Sequence, residues 1–308
     1  MSSGAAMRRA LVTGASGFVG SRLVYRLVSD GWQVSAILRP GSSLGELVPV
    51  LPHIQIVRVS GGEDLRGVVA AADPDVVFHL ASKFLAEHRP EDVADLIDSN
   101  VRFGTLLLEA MAENQVSRLV NAGTSWQHYA TSDYRPVCLY AATKQAFEAI
   151  LDYYVDACSV RAVTLKLSDT YGPSDPRRKL FSAFRSARES EAPIAFSPGE
   201  QLIDLVYIDD VVDAFLRAAG RLLSGDCSGK EEFGVSLGSP RSLREIASIY
   251  ESVVGRALKI DWGARPYRSR EVMSPWSSGR PVPGWQPKVS LAEGIRRTER
   301  IAATGWEA

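Results

Sequence analysis

The sequence predicts an α/β fold, a doubly wound parallel sheet with a smaller C-terminal substrate-binding domain, on three observations. Short Val- and Ile-rich runs recur along the first half of the chain, with helical stretches between them. A strand, a loop with three glycines and a helix open it, and past Gly172 the alternation gives way to turn-rich sequence. Continuous apolar strands of this kind suit a parallel sheet covered by helices on both faces.

Taken in order, "RRALVTG" is a strand that runs into "GASGFVG" and the helical pattern "SRLVYRLVSDG", and "WQVSAILR" is the second strand. "IQIVRVS", "DVVFHLAS", "RLVNAGTS" and "AVTLKLSDTYG" continue the series. "PSDPRRKLFSAFRSARES" reads as a turn and a basic helix, and "GEQLIDLVYIDDVVDAFLRAAG" as a strand and a core-type helix. The tail carries the helix "SLREIASIYESVVG" among many Pro, Gly and Trp residues. The expected organisation is a dinucleotide-binding domain over residues 1–174, rejoined by 204–240, and a cap from 175–203 and 241–308.

Composition excludes several classes of function. With 308 residues the chain can bury a sizeable core, and 45% hydrophobic with 23% charged residues is ordinary for a globular protein. A formal net charge of −1 gives no electrostatic case for nucleic acid or an anionic membrane. No apolar run approaches the ~18 residues of a spanning helix. "MSSGAAMRR" lacks an apolar region and reads as a flexible leader. Cys138, Cys158 and Cys227 form no CxxC pattern, and His53, His79, His88 and His128 have no zinc-ligand spacing. The expectation is a cytoplasmic protein without a structural metal.

Gly14, Gly17 and Gly20 form G-x-x-G-x-x-G between strand and helix, with Ser16, Phe18 and Val19 among them. Glycines there permit a tight turn and close backbone approach to a pyrophosphate, which the helix amino terminus then faces. An acid at the end of the second strand would bond the ribose hydroxyls of NAD. Here "AILRPGSS" places Arg39 at that point, and an arginine fork beside Ser42 or Ser43 suits a 2′-phosphate. The expected cofactor is NADP(H).

In "LYAATKQAFE", Tyr140 and Lys144 stand one helical turn apart and share a face. An ammonium beside a phenol favours the phenolate. On spacing alone, an ordinary amphipathic turn is the better reading.

Together "TGASGFVG", Asp64–Leu65, "HLAS", Asn100 with "GTLLLEA", "YAATK", "TYGP", "LVYIDDVVDA" and "GWQPKVSLAEGI" resemble the extended short-chain dehydrogenase/reductase family, in its nucleotide-sugar branch. The resemblance spans nearly the whole chain. It implies a Rossmann domain and makes Tyr140 the general acid/base, with Lys144 holding the nicotinamide ribose and depressing the tyrosine pKa. It implies Ser125 as the third catalytic residue, with Thr124 the fallback, four residues before Tyr129 in "TSWQHY". Asp64 and Leu65 would sit at the adenine, Leu80, Ala81 and Lys83 along the ribose and phosphates, and Asn100 behind the site. His79 is expected to be a buried strand residue. Asp169 replaces the asparagine many relatives carry, and Ile203 an arginine that grips the diphosphate. Arg178, Lys179 and Arg268 are the candidate replacements. Trp126, Tyr129 and Tyr207 pack at the sugar or in the core.

Three reactions share such a site. A dehydratase of this family has an Asp-Glu pair where this chain has Trp126 and Gln127, which are expected to shape the sugar pocket but cannot transfer protons. An epimerase recycles tightly held NAD, a preference Arg39 opposes. A reductase draws fresh NADPH and needs only Ser125, Tyr140 and Lys144. The resemblance is greatest to the branch of CDP-abequose synthase and related 4-ketoreductases, which implies reduction at C4 of a CDP- or dTDP-linked 4-keto-deoxyhexose by a homodimer. A 4-epimerase is the alternative, and a catalytically inactive NADP-sensing regulator a more distant one.

Overall fold

A computed structural model describes residues 7–60, 64–131, 133–177 and 179–304. Six strands appear first along the chain: β1 (Arg9–Thr13), β2 (Gln33–Leu38), β3 (Ile54–Arg58), β4 (Val76–His79), β5 (Arg118–Thr124) and β6 (Arg161–Leu167). Short strands follow at Asp169–Tyr171 (β7), Ile194–Phe196 (β8), Leu202–Ile203 (β9) and Leu205–Tyr207 (β10). Lys230–Val235 (β11), Arg241–Ser242 (β12) and Ile260–Trp262 (β13) come last. The helices are α1 (Phe18–Ser29), α2 (Leu65–Ala72), α3 (Asp92–Ile97), α4 (Phe103–Glu113), α5 (Leu139–Cys158), α6 (Leu180–Glu189), α7 (Ile208–Ser224), α8 (Leu243–Val254) and α9 (Leu291–Thr304).

Seven strands form one parallel sheet in the order β11-β6-β5-β4-β1-β2-β3. The order reverses direction between β1 and β4, and in such sheets the crevice at that switch, beyond the carboxyl ends, takes the ligand. Alternation along each strand feeds two cores. Val12 and Val34 join Leu23 and Leu27 of α1 and Phe215 of α7, while Leu11 and Val77 join Val68 of α2, Leu107 of α4 and Phe147 of α5. A third cluster, with Phe181, Phe184, Tyr207, Ile246 and Tyr250, lies in the smaller C-terminal part, where β8 pairs β13 and β9 pairs β12. No helix among the described residues is long and apolar enough to cross a membrane.

Two distant sequence motifs meet at Asp210. Its carboxylate accepts from the amides of Lys288 and Val289 at 3.0 Å each, and its carbonyl from the Trp285 indole at 2.9 Å. This ties "GWQPKVSLAEGI" to α7. Between α3 and α4 the helix widens into a π turn at Asp98–Arg102, which carries Asn100 in the buried interior. Such bulges often mark functional sites. This one faces α5.

Candidate active site

The glycine loop fits a dinucleotide. Gly14 has φ +69, and a Cβ there would come within 2.6 Å of backbone atoms of Leu80 and Ala81. A Cβ on Gly20 would strike the Gly14 carbonyl. The loop therefore packs backbone to backbone against the end of β4 and against α1. No side chain caps α1 at Gly17, whose amide instead donates to the Gly14 carbonyl at 3.0 Å. That leaves the positive end of the helix open toward an anion. Ser16 and Val19 are partly exposed beside it, and Val19 lines the same small chamber as Tyr140. Phe18 is buried, with the Arg177 guanidinium 4.5 Å from its ring centroid.

The ribose edge holds one residue the sequence did not announce. Arg39 is exposed at the end of β2, and Arg58, its neighbour on β3, donates from Nη1 to the carbonyls of Arg39 (3.0 Å), Pro40 (2.7 Å) and Ser42 (3.3 Å). Arg58 thus fixes the turn that presents Arg39 and Ser42. Asp64 precedes α2 at this edge, but the Leu65 side chain is 1% exposed and belongs to the core, so only its backbone can face an adenine. Leu80 packs on the core, and the Ala81 amide donates to Thr13 Oγ1 at 3.2 Å. Thr13 Oγ1 also bonds His79 Nδ1 at 2.8 Å, and burial lowers the imidazole to about 3, so His79 is a neutral strand residue. Lys83 corrects an expectation. Its ammonium is held by Asp95 at 2.7 Å and Asp92 at 3.4 Å, toward α3 and away from any phosphate.

The candidate reacting groups converge where β5 ends and α5 begins. Tyr140 and Lys144 occupy successive turns of α5; Lys144 is 1% exposed, and Tyr140 is half-buried with its ring edge-on to Phe84 at 4.9 Å. Tyr140, Thr124 and Ser125 line one chamber of about 100 Å³. Ser82 and Thr124 are close enough to the Tyr140 phenol to favour its ionised form. Thr124, first read as a fallback, is thus the hydroxyl next to the phenol. Asn100 is fully engaged: Oδ1 accepts from the Lys83 amide (2.7 Å) and Ser82 Oγ (3.1 Å), while Nδ2 donates to the Lys83 carbonyl (3.0 Å) and Thr143 Oγ1 (2.9 Å). It clamps the loop after β4 to α5. A second expectation is reversed here. Burial, then Cys138, pushes Tyr140 up to about 12 in spite of the nearby hydroxyls, and burial lowers Lys144 to about 8.

A cavity of about 260 Å³ opens beside this chamber, with Phe84, Trp126, Asp169, Ile203 and four cations on its walls: Arg177, Lys179, Arg185 and Arg268. Lys179 lies 3.4 Å from Asp169 and 5.3 Å from the centroid of Phe84. Arg268 is paired with Glu271 at 2.7 Å and lies 5.4 Å from the Trp126 centroid. Arg178 falls outside the described residues. Arg177 and Arg185 were missed in the run "DPRRKLFSAFRSARES", whose alternate charges give no hint which ones turn inward. Tyr207 is buried in the third core cluster, and Tyr129 packs under Arg270 at 4.4 Å. Gln127 is the third correction. It is fully buried, takes the Thr124 amide at 3.1 Å, and donates to Gln145 at 2.6 Å and Glu148 at 3.1 Å, so its amide is not free for a sugar.

Comparison with known proteins gives the family. Residues 10–230 match the NAD dependent epimerase/dehydratase family. The chain belongs to that family. Among curated relatives, it is 31% identical to UDP-glucose 4-epimerase of Mycolicibacterium smegmatis over 94% of this chain and 97% of that one. It is 27% identical to CDP-abequose synthase of Yersinia pseudotuberculosis, over 87% of this chain and 91% of the relative. Among solved structures, the Thermus thermophilus UDP-glucose 4-epimerase complex with NAD superposes with a TM-score of 0.80 at 25% identity, covering 97% and 100% of the two chains.

Proposed function

We propose that this family member reduces the C4 ketone of a nucleotide-activated 4-keto-deoxyhexose, with NADPH supplying the hydride. The observation that carries the reading is a phenol held protonated, at about 12, in the same chamber as the Thr124 and Ser125 hydroxyls. Reduction of a ketone needs an acid at the new alkoxide, and Tyr140 is poised as one. The Thr124 or Ser125 hydroxyl donates to the carbonyl oxygen, and Lys144 holds the ribose and stabilises the phenolate left behind. The four cations of the larger cavity are each paired with a carboxylate (Arg177 with Asp175, Lys179 with Asp169, Arg185 with Glu299, Arg268 with Glu271), so a diphosphate would be held there by exchange of those partners. Similarity to CDP-abequose synthases over most of both chains supports a CDP-linked substrate.

The 31% identity to an epimerase favours a second reading, a 4-epimerase that retains NAD. Cofactor consumption separates the two. Incubated with NADPH and a panel of 4-keto sugar nucleotides, a reductase oxidises one NADPH for each ketone reduced and leaves UDP-glucose untouched. Conversion of UDP-glucose to UDP-galactose with no net change in cofactor would replace the reductase reading with the epimerase one.

The NADPH preference rests on Arg39 and its Arg58-fixed turn. Losing a charge-assisted contact costs about 1.5–3 kcal/mol, or ten- to a hundred-fold in affinity. Arg39→Ala should weaken NADPH by that factor and leave NADH unchanged in a titration of both cofactors. Equal wild-type affinities for the two would refute the preference.

A further inference from the structure

Beneath the Tyr140–Lys144 pair lies a second charged layer that the proposed chemistry does not use. Glu148 is one turn beyond Lys144 on α5, so Tyr140, Lys144 and Glu148 fall on one face of the helix. Glu148 is 0% exposed, and Lys166, on β6, is 1% exposed. Their Oε2 and Nζ are 2.5 Å apart. Such a pair is retained at the cost of desolvating both ions, and replacing it by apolar groups is often neutral or stabilising, so stability alone does not account for it.

The two carboxylate oxygens of Glu148 lead in different directions. Oε2 meets Lys166, which reaches Glu232 of β11 at 3.8 Å. Oε1 accepts from Gln127, whose own oxygen takes the amide of Thr124. One carboxylate therefore touches the support of the hydroxyl-bearing strand end and stands one turn from Lys144 on α5. We propose that Glu148, locked by Lys166 and Gln127, is a positioning residue that keeps Lys144 an ammonium and holds the end of β5 in register with α5. The inference rests on Tyr140 and Lys144 as the reacting pair.

The charges around Lys144 define the sign. From its own helix Glu148 favours the ammonium; from β6 Lys166 opposes it; from β4 His79 is neutral; and Tyr140 is protonated. Around Glu148 itself stand Lys166, Glu232, Lys230 and Tyr134. Burial already brings Lys144 to about 8, just above neutrality. Withdrawing the Glu148 charge moves the loss of the Lys144 proton to lower pH, and withdrawing Lys166 moves it to higher pH.

The test follows isotope-labelled lysine side chains through a pH titration by NMR in the full chain, with the Lys144 signal assigned from Lys144→Arg. Glu148→Gln should lower the Lys144 midpoint by about one pH unit or more and draw the alkaline limb of turnover down with it. Lys166→Met should raise both. Opposite shifts are a signature that a merely structural role does not produce. Should Glu148→Gln fail to fold because Lys166 is left unpaired, Lys166→Met and the Glu148→Gln/Lys166→Met pair still decide, the double variant dropping back from Lys166→Met to wild type or slightly lower, because Glu148 outweighs Lys166 at Lys144. An unmoved midpoint in the variants that fold overturns the proposal. A midpoint that shifts while turnover does not supports it and counts instead against Tyr140–Lys144 as the reacting pair.

Discussion

Tyr140→Phe should lower turnover by roughly 10²–10⁴-fold while leaving NADPH affinity and melting temperature close to wild type. The ring stays, so its edge-on packing against Phe84 at 4.9 Å is kept. Only the hydroxyl is lost, with its influence on the neighbouring Ser82 and Thr124 hydroxyls. Net hydrogen-bond contributions of about 1 kcal/mol are too small to unfold the domain. The phenol acts in the transition state, so the loss falls on kcat and not on KM. Single-turnover NADPH oxidation with a 4-keto substrate separates the two. Retention of more than about a tenth of the wild-type rate contradicts a general acid.

The same groups fix the pH dependence of the wild-type rate. Tyr140, at about 12, stays protonated through the neutral range, and Lys144, at about 8, loses its proton first as pH rises. In the reductive direction the rate is therefore flat below about 8 and falls above it. The reverse oxidation needs the phenolate, so its rate rises with pH across the neutral range. A bell centred below neutrality in the reductive direction would point to a different acid.

What the sequence conveyed, and what it withheld, divides along the reach of each signal. Six of the seven strands of the main sheet lie in apolar runs bounded by turns, a local signal, where the pattern put them; β11 was missed because "KEEFGV" opens on three charged residues and gives no apolar run. β8, β9, β12 and β13 are two or three residues long, too short for any periodicity, and exist only through partners far along the chain. At the site, the glycine loop is a local signal, whereas the Tyr140–Lys144 spacing alone reads as an amphipathic turn and takes its meaning from the motifs around it. The direction of a long side chain is not. Lys83 stands next to the motif "HLAS", yet its ammonium turns to Asp92 and Asp95, because α3 brings two acids into reach. Gln127 follows Trp126 directly, yet one faces the cavity and the other the interior, since a tight turn at Ser125–Gln127 divides them. Arg58 was invisible for a related reason: it acts on the backbone of a neighbouring strand's end, and nothing in "IVRVS" records that neighbour. The Tyr140 pKa was misjudged because spacing shows the cation and not the burial, and burial outweighs it.

The glycines make the point quantitatively, because one substitution should have opposite signs at two of them. Gly220→Ala lies near the end of α7, with nothing within 4 Å of the added Cβ. Alanine is favoured over glycine in a helix by about 0.8–1 kcal/mol, so this variant should melt a few degrees higher and bind NADPH as wild type does. Gly14→Ala meets two penalties. Its φ of +69 disfavours any L side chain, at about 1–2 kcal/mol, and the new methyl would sit 2.6 Å from the Ala81 amide nitrogen and the Leu80 carbonyl carbon. Neither neighbour is a flexible side chain that can swing aside. Overpacking of this kind costs about 1–3 kcal/mol more, for a total of roughly 2–5 kcal/mol and a melting temperature lower by about 2–4 °C for each of them. The strain is relieved by moving the loop off the end of β4, which displaces the open amino terminus of α1 from the phosphates. NADPH affinity should therefore fall at least about tenfold, the equivalent of one strong charge-assisted contact. Thermal melts and NADPH titrations of the two variants side by side supply the comparison. A Gly14→Ala protein that melts and binds like wild type would remove the glycine loop from the cofactor site.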